Sequence, residues 1–135
     1  MPLSNIEIVD IPLITDERGN LVFAEVGQSL PFQVQRFFVV FDVPSTEIRG
    51  QHAHKELHEF VVALRGSVTI SIDDKSHQKT FTLSRPTQGL HIPPKTWRTL
   101  YEYSTDAVLL VLASHTYDAD DYIRDYDTFL NFKFD

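Results

Sequence analysis

The sequence predicts an all-β protein, an antiparallel sandwich or barrel with one helix near the C-terminus. Runs of β-branched and aromatic residues recur along the chain, separated by turn residues at a spacing of roughly 8–12 residues that is typical of such folds. With 135 residues, the chain has the length of one domain, which we expect to span residues 1–135. Its 42% apolar and 23% charged residues are globular proportions, so a disordered or fibrous chain is excluded.

The predicted strands follow from alternating or continuously apolar composition between turns. The segment 34–41 is rich in Val and Phe, which favour a buried strand, whereas 16–20 and 73–75 have the composition of turns. Gly66 separates the predicted strands 61–64 and 67–72. The predicted strands are 6–11, 21–26, 34–41, 52–60, 61–64, 67–72, 80–83, 90–92, 96–103 and 108–112.

The helix is predicted over 118–130. Apolar residues at positions 122, 123, 126, 129 and 130 fall on one helical face. The first turn is acidic, which suits the positive end of the helix dipole. We expect this helix to pack on the outside of the β-structure.

Charge and composition exclude several classes of function. Twelve Lys and Arg against nineteen Asp and Glu give a net charge of −7, so neither nucleic acid nor an anionic membrane is an expected partner. The absence of cysteine excludes disulfides, thiol catalysis and thiolate zinc sites, and it suits a reducing cytoplasm. No signal peptide is visible, and the longest apolar run, 107–113, is far too short to span a membrane. We expect a cytoplasmic protein.

Three of the six histidines, His52, His54 and His58, fall within seven residues. Side chains alternate along a strand, so residues 52, 54, 56 and 58 are predicted to share one face, with His52 and His54 side by side. Two imidazoles that titrate near neutrality suit proton transfer or metal binding. A polar, solvent-facing strand surface is the alternative interpretation.

The spacing His52-x-His54-x4-Glu59-x6-Gly66 resembles the first motif of the cupin superfamily, whose fold is a jelly-roll. The resemblance implies that metal-binding members hold a divalent ion with these residues and a histidine from a second motif. Arg98 stands at that fourth position, and an arginine has no lone pair to donate. We therefore expect no metal and no other cofactor. Strict alternation also places Glu59 on the opposite face from the histidines.

The segment Arg49-Gly-Gln-His-Ala-His-Lys55 resembles the signature of nucleoside-diphosphate-sugar 3,4-ketoisomerases, a cupin family. The likeness continues through Gly66-Ser-Val68, Pro94-x-x-Trp97 and the segment 117–126, and so covers most of the chain. It implies a homodimer that moves the ketone of dTDP-4-keto-6-deoxyglucose from C4 to C3, in the synthesis of dideoxy amino sugars for surface polysaccharide. We take strand 6–11 as a candidate to cross to the partner subunit.

By this resemblance, His52 and His54 are the catalytic residues. An imidazole can remove the C3 proton next to the carbonyl, and another can deliver a proton to C4, without a redox cofactor. Seven of the twelve basic residues are arginine, the side chain best suited to a diphosphate. The candidate substrate-binding residues are Arg18, Arg36, Arg49, His58, Trp97 and Arg98.

Two departures from the family pattern keep alternatives open. Phe37 and Phe38 stand where relatives often have tyrosines, which is compatible with a sugar-nucleotide-binding module that has lost catalysis. In the family, the residues matching Arg18 and Arg98 go with the configuration created at C4, and this chain combines types, so gluco and galacto products both remain open. A metal-dependent cupin enzyme is the third alternative.

Overall fold

A computed structural model describes residues 2–135, which form a two-layer β-structure with one short helix. Its elements are β1 (Ile8–Asp10), β2 (Leu13–Asp16), β3 (Gly19–Val22), β4 (Arg36–Phe41), β5 (Arg49–His54), β6 (Glu59–Arg65), β7 (Val68–Asp73), β8 (Gln78–Leu83), β9 (Gln88–Ile92), β10 (Trp97–Tyr101), β11 (Val108–Ala113), β12 (Tyr122–Ile123) and α1 (Tyr126–Asn131). Single 3₁₀ turns cover Leu3–Asn5 and Ala119–Asp121.

The strands form two five-stranded antiparallel sheets. The first sheet has the order β1-β9-β6-β11-β4, and the second has the order β12-β5-β10-β7-β8. The hairpin β2–β3 pairs with neither of them. The predicted all-β antiparallel fold is confirmed in its sandwich form, because no strand pairing closes the two sheets into a barrel across residues 2–135. β1, which lies in the segment 6–11 taken as a candidate to cross to a partner subunit, pairs with β9 of its own chain.

The main core lies between the two sheets. Alternate residues of facing strands point into it, as the period of two requires, and Ala63, Ile70 and Leu109 are fully buried there. Burying a large apolar side chain such as Ile70 or Leu109 contributes about 1.5–3 kcal/mol. The outer face of the first sheet carries a second cluster around Phe60 and Val62, covered by the segment 24–34. The sandwich therefore has distinct inner and outer faces, which decide where each polar side chain goes.

The predicted continuous strand 52–60 is wrong. β5 ends at His54 in the second sheet, the chain turns over residues 55–58, and β6 begins at Glu59 in the first sheet. Since the chain changes sheets, strand alternation no longer links the faces of His54, His58 and Glu59. Glu59 points into the sandwich, as Val61 does, and the expectation that it faces away from the histidines is wrong.

The predicted helix over 118–130 is also wrong for its first half. Asp118 caps the 3₁₀ turn, Tyr122 and Ile123 then pair with His54 and Ala53 of β5, and only Tyr126–Asn131 is α-helical. The apolar residues of this segment do pack together, but they come from two elements, strand β12 and the short helix α1. Ile123 of β12 and Phe129 of α1 are buried against Ala53 on the outer face of the second sheet. Within residues 2–135, no helix has the length and apolar character that crossing a membrane requires.

Candidate active site

The structure brings His52 and His54 together near the end of β5. Their Nε2 atoms lie 3.0 Å apart, and the rings meet edge to face. His54 is 1% exposed, whereas His52 is half-buried. Across β5, His52 pairs with Arg98 of β10 and His54 pairs with Tyr122 of β12. The pair thus lies at the centre of three strands rather than on a solvent-facing surface.

Gly50 places the first of these rings. Its φ of +85° belongs to the left-handed region that favours glycine, and a Cβ there would lie 2.9 Å from Leu100 Cδ1 and 3.2 Å from the Arg98 carbonyl oxygen. The β5–β10 register shifts between Arg98 and Leu100, directly opposite. This irregularity turns the Gly50 carbonyl toward the imidazole, where it accepts a hydrogen bond from His52 Nδ1.

Asp121 holds the second ring. Its Oδ2 accepts a hydrogen bond from His54 Nδ1 at 2.9 Å, and its Oδ1 accepts one from the Glu56 backbone N–H at 2.8 Å. The 3₁₀ turn 119–121 delivers this carboxylate, and Tyr122 then packs against both imidazoles, at centroid distances of 4.9 and 4.3 Å. A proton on His54 Nδ1 leaves Nε2 as the free lone pair facing His52, so Asp121 selects the tautomer.

Both imidazoles are neutral at neutral pH. Burial lowers the pKa of His52 to about 3, and the Arg98 guanidinium acts in the same direction. Burial also lowers the pKa of His54 to about 2, again with Arg98 contributing. Two neutral rings carry two N–H protons, whereas the chain from the Gly50 carbonyl to the Asp121 carboxylate contains three contacts. The pair can accept one further proton and form all three hydrogen bonds.

Arg98 and Glu59 form an ion pair inside the sandwich. Arg98 Nη1 donates to Glu59 Oε1, and Nη2 approaches the carbonyl oxygens of Thr96 at 3.4 Å and Pro93 at 3.5 Å. Burial lowers the pKa of Arg98, and the adjacent Glu59 opposes that change. The ion pair fixes a cation directly across the ladder from His52.

A divalent metal does not fit these residues. Donor atoms of His52, His54 and Glu59 lie within 4.8 Å of one another, which is a spacing that metal ligands have. However, the Arg98 guanidinium already donates to Glu59 and places a permanent positive charge at the position of the fourth metal ligand. A second cation at that point would be repelled, and arginine offers it no lone pair.

The histidine pair lies between two cavities. One, which we name the outer cavity, has a volume of about 120 Å³ and includes Arg36, His54, Asp121 and Tyr122 in its wall. The other, the inner cavity, has a volume of about 70 Å³ and includes Phe38, Arg49, His52, Glu59, Arg98 and Tyr103. Since Arg49 is exposed, the inner cavity reaches the protein surface.

Besides Arg98, two predicted substrate-binding arginines, Arg36 and Arg49, line these cavities. Arg36 stacks beside Tyr117, with the guanidinium carbon 5.8 Å from the ring centroid, and its buried Nε has no hydrogen-bond partner within residues 2–135. Arg49 sits at the rim of the inner cavity. Both keep N–H groups available for an anionic ligand.

The structure does not bring Arg18, His58 and Trp97 to the site. Arg18 lies on the β2–β3 turn with 86% of its side chain exposed and bonds only to Asp16. Trp97 alternates with Arg98 on β10 and so faces outward, against Phe129 of α1. Trp97 therefore lines neither of the two cavities, and its role in substrate binding stays a prediction.

His58 belongs to a different cluster. Its Nδ1 lies 2.9 Å from His91 Nε2, the two rings are stacked, and Phe32 packs against both. His91 pairs across the sheet with Phe60, whose side chain is part of the outer cluster. His58 therefore lies on the outer face of the first sheet and does not line the inner cavity, and its role in substrate binding stays a prediction.

Sequence reasoning missed Asp121 and Tyr103 as site residues. Asp121 is 67 residues from His54 and falls within the segment 118–130 that the sequence predicts to be helical. Its only signal is its position in the segment 117–126 that carries the family resemblance. Tyr103 is isolated in the sequence, and only the folded structure places it beside the inner cavity.

Comparisons with known proteins identify the family. The family model described as "FdtA: WxcM-like, C-terminal" matches residues 4–134. The TDP-4-oxo-6-deoxy-alpha-D-glucose-3,4-oxoisomerase of Aneurinibacillus thermoaerophilus is 40% identical over 123 residues, covering 91% of this chain and 88% of the relative.

Two solved structures are similar throughout. A histidine-to-asparagine mutant of the 3,4-ketoisomerase QdtA from Thermoanaerobacterium thermosaccharolyticum, in complex with TDP-4-keto-6-deoxyglucose, superposes with a TM-score of 0.91 at 35% identity, covering 96% of this chain and 94% of that one. The TDP-quinovose 3,4-ketoisomerase WlaRB from Campylobacter jejuni gives 0.90 at 39% identity, covering 95% and 98%. The chain is a member of the FdtA (WxcM-like, C-terminal) family, which confirms the resemblance seen in its sequence.

Proposed function

We propose that this protein is a 3,4-ketoisomerase of a TDP-linked 4-keto-6-deoxyhexose. The observation that carries the proposal is the buried, neutral His52–His54 pair, oriented by the Gly50 carbonyl and the Asp121 carboxylate. Such a pair offers a free lone pair that can take up a proton and, once protonated, an N–H that can deliver one, as a 1,2-shift of a ketone requires. The relatives named for this activity support the choice of substrate.

The reaction begins with loss of the C3 proton. One imidazole of the pair takes this proton, and the electrons of the C3–H bond form the C3–C4 double bond of an enediolate, with the negative charge on the C4 oxygen. The proton of the C3 hydroxyl then moves to the C4 oxygen, the C3 carbonyl forms, and C4 accepts a proton from the protonated pair. Atoms and charge balance without an external reagent, and we place the base at His54.

The hydrogen-bond chain supports this cycle. In the resting state the two rings share two protons among three contacts, so one contact lacks a hydrogen. The proton from C3 fills the contact between the two Nε2 atoms, while His52 Nδ1 keeps donating to the Gly50 carbonyl and His54 Nδ1 keeps donating to the Asp121 carboxylate. This proton exchanges with solvent while it is on the pair, and delivery of a proton from the pair to C4 restores the resting state.

Fixed charge stabilises the enediolate. Arg98 is adjacent to His52 across the ladder, and Glu59 holds it there without solvent, so its field acts at short range. Arg36 and Arg49, at the walls of the outer and inner cavities, are the candidates for the diphosphate. This assignment also suits a cysteine-free chain acting in the cytoplasm, where we place the reaction.

Incubation with TDP-4-keto-6-deoxyglucose in deuterated water, followed by proton NMR, tests the proposal. We expect the C3 proton signal to disappear as the 3-keto product forms with deuterium at C4. A protein that binds the nucleotide sugar without exchange at C3 is the non-catalytic binding module instead. The doubly substituted H52N/H54N protein is the control for exchange caused by the buffer alone.

Because Arg98 stands in place of a fourth metal ligand beside His52, His54 and Glu59, we expect the protein to be active without a metal. We expect purified protein, dialysed against EDTA, to retain full ketoisomerase activity and to contain much less than one transition metal per chain by elemental analysis. The ion pair of Arg98 with Glu59 is the physical reason, since it occupies the position of two ligands. Loss of activity on chelation, restored by one metal equivalent, would support a metal-dependent cupin enzyme.

We further propose a homodimer in which the β2–β3 hairpin contacts a second copy. The hairpin pairs with neither sheet and exposes Leu13, Ile14 and Leu21. Edge strand β4 exposes an apolar row on its outward side, with Phe37 67% exposed. Exposed apolar edge strands are typical of interfaces, and only a second copy would bring Arg18 from its hairpin to a cavity.

Light scattering at micromolar concentration is expected to give twice the chain mass of 15.5 kDa. Replacing Leu13 and Leu21 by Ser is expected to shift the protein toward the monomer, because apolar area at the contact is lost. Replacement of exposed Leu130 on α1 by Ser is the control that leaves the mass unchanged. A monomer mass for the unmodified protein would contradict the proposal.

A further inference from the structure

Tyr103 has a buried hydroxyl that nothing in residues 2–135 satisfies. The residue follows β10 and is 3% exposed, and its side chain lies in the main core beside the inner cavity. Its hydroxyl oxygen has no hydrogen-bond partner among these residues. Buried tyrosine hydroxyls ordinarily find a partner, because leaving one unpaired costs about 1–3 kcal/mol. A phenylalanine would fill the same space without that cost.

Tyr103 lines the same cavity as several groups that the proposed reaction uses. The inner cavity that Tyr103 lines also contains His52, Arg98 and Arg49. Apart from these groups and the carboxylate of Glu59, which can only accept hydrogen bonds, the side chains of its wall are apolar, with Phe38 of β4 contributed by the opposite sheet. A polar atom of a ligand bound in this cavity therefore meets few hydrogen-bond donors. Among the uncharged donors, the Tyr103 hydroxyl is the one that has no other hydrogen-bond partner within residues 2–135.

We propose that the Tyr103 hydroxyl donates a hydrogen bond to the C3 or C4 oxygen of the bound sugar and stabilises the enediolate. The inference rests on the proposed function, and it extends that function by assigning a further catalytic residue, one that contacts substrate. The unpaired hydroxyl is then a preorganised donor whose partner arrives with the substrate.

The protonation state of the phenol agrees with a donor role. Burial raises the pKa of Tyr103 to about 12, with Arg49 opposing the change only in part. The phenol therefore keeps its proton at neutral pH and acts as a donor, while the histidine pair moves the reacting proton. The two roles do not compete, because the enediolate oxygen and the C3–H bond are different positions on the sugar.

Tyr103→Phe is the test, because it removes the hydroxyl and nothing else. We expect kcat for TDP-4-keto-6-deoxyglucose to fall by about 10²-fold, as on removal of an oxyanion-hole donor, with a smaller change in KM. The thermal midpoint should stay the same or rise, since an unpaired buried hydroxyl is lost. A purely structural tyrosine would give the stability change without the loss of kcat.

Tyr101→Phe is the matched control, because Tyr101 is the last residue of β10, two positions before Tyr103, lies on the face opposite Leu100 and does not line the cavity. Its activity should equal that of the unmodified protein. Phe38→Tyr in the Tyr103→Phe background offers a hydroxyl to the same cavity from the opposite sheet, and we expect it to restore part of kcat.

The outcomes separate the two proposals. An active unmodified protein and a Tyr103→Phe variant with kcat within twofold of it would overturn the role of Tyr103 and leave the ketoisomerase proposal standing. An unmodified protein without C3 exchange would overturn both. A fall in kcat that Phe38→Tyr partly reverses supports the assignment, since a packing defect at position 103 would not be repaired by a hydroxyl on β4.

Discussion

Replacement of His52 or His54 by Asn is expected to lower ketoisomerase turnover by at least ~10²-fold, the lower end for loss of a positioned acid or base. Asn retains a polar side chain that can bond to the Gly50 carbonyl or to Asp121, and neither imidazole belongs to the main apolar core. The free energy of unfolding should therefore change little. Steady-state kinetics with a urea unfolding curve for each variant measure both quantities.

The two variants should differ in deuterated water. Loss of the base at His54 should stop exchange of the C3 proton, whereas loss of the donor to C4 leaves exchange running while the product fails to form. His77→Asn is the control, because His77 lies in an exposed hairpin with 79% of its side chain accessible. Near-normal turnover in both site variants would show that the His-x-His pair is structural.

Replacement of Glu59 by Gln is expected to cost about 3–5 kcal/mol of stability. The Arg98 guanidinium is 1% exposed, and Glu59 supplies its charged partner, so the substitution leaves a buried cation without a counter-charge. Chemical denaturation followed by tryptophan fluorescence measures the change, because Trp97 is the single tryptophan and packs on α1. Asp16→Asn, which breaks the exposed pair with Arg18, should produce no measurable change.

The double substitution E59Q/R98M tests whether the unpaired Arg98 cation is the cause of the lost stability. Once the buried cation is also removed, an apolar side chain of similar length fills the space, and much of the lost stability should return. If E59Q alone leaves the unfolding free energy unchanged, the cation is not held by this carboxylate and its placement beside His52 must have another origin.

The sequence predicted those features that depend on local pattern. The strands and the adjacency of His52 and His54 follow from a period of two, and the family follows from a motif contained within seven residues. The face of Glu59 and the extent of the C-terminal helix did not follow, because each depends on where the chain passes from one element to another. Asp121 shows the limit most clearly: local pattern places it on a helix, but pairing of β12 with β5 places its carboxylate under His54.

The low basicity of the buried imidazoles has a consequence for the fate of the migrating proton. A pKa of about 2 or 3 describes the pair beside Arg98 with no anion present, when an added positive charge is strongly disfavoured. An enediolate in the cavity reverses that balance, because its negative charge favours an imidazolium at the same place and moment. In the mechanism proposed here, the charged ring and the anionic intermediate therefore exist only together, as a transient ion pair. Collapse of the intermediate makes the ring a strong acid again, which drives its proton onto carbon and resets the enzyme without a separate deprotonation step.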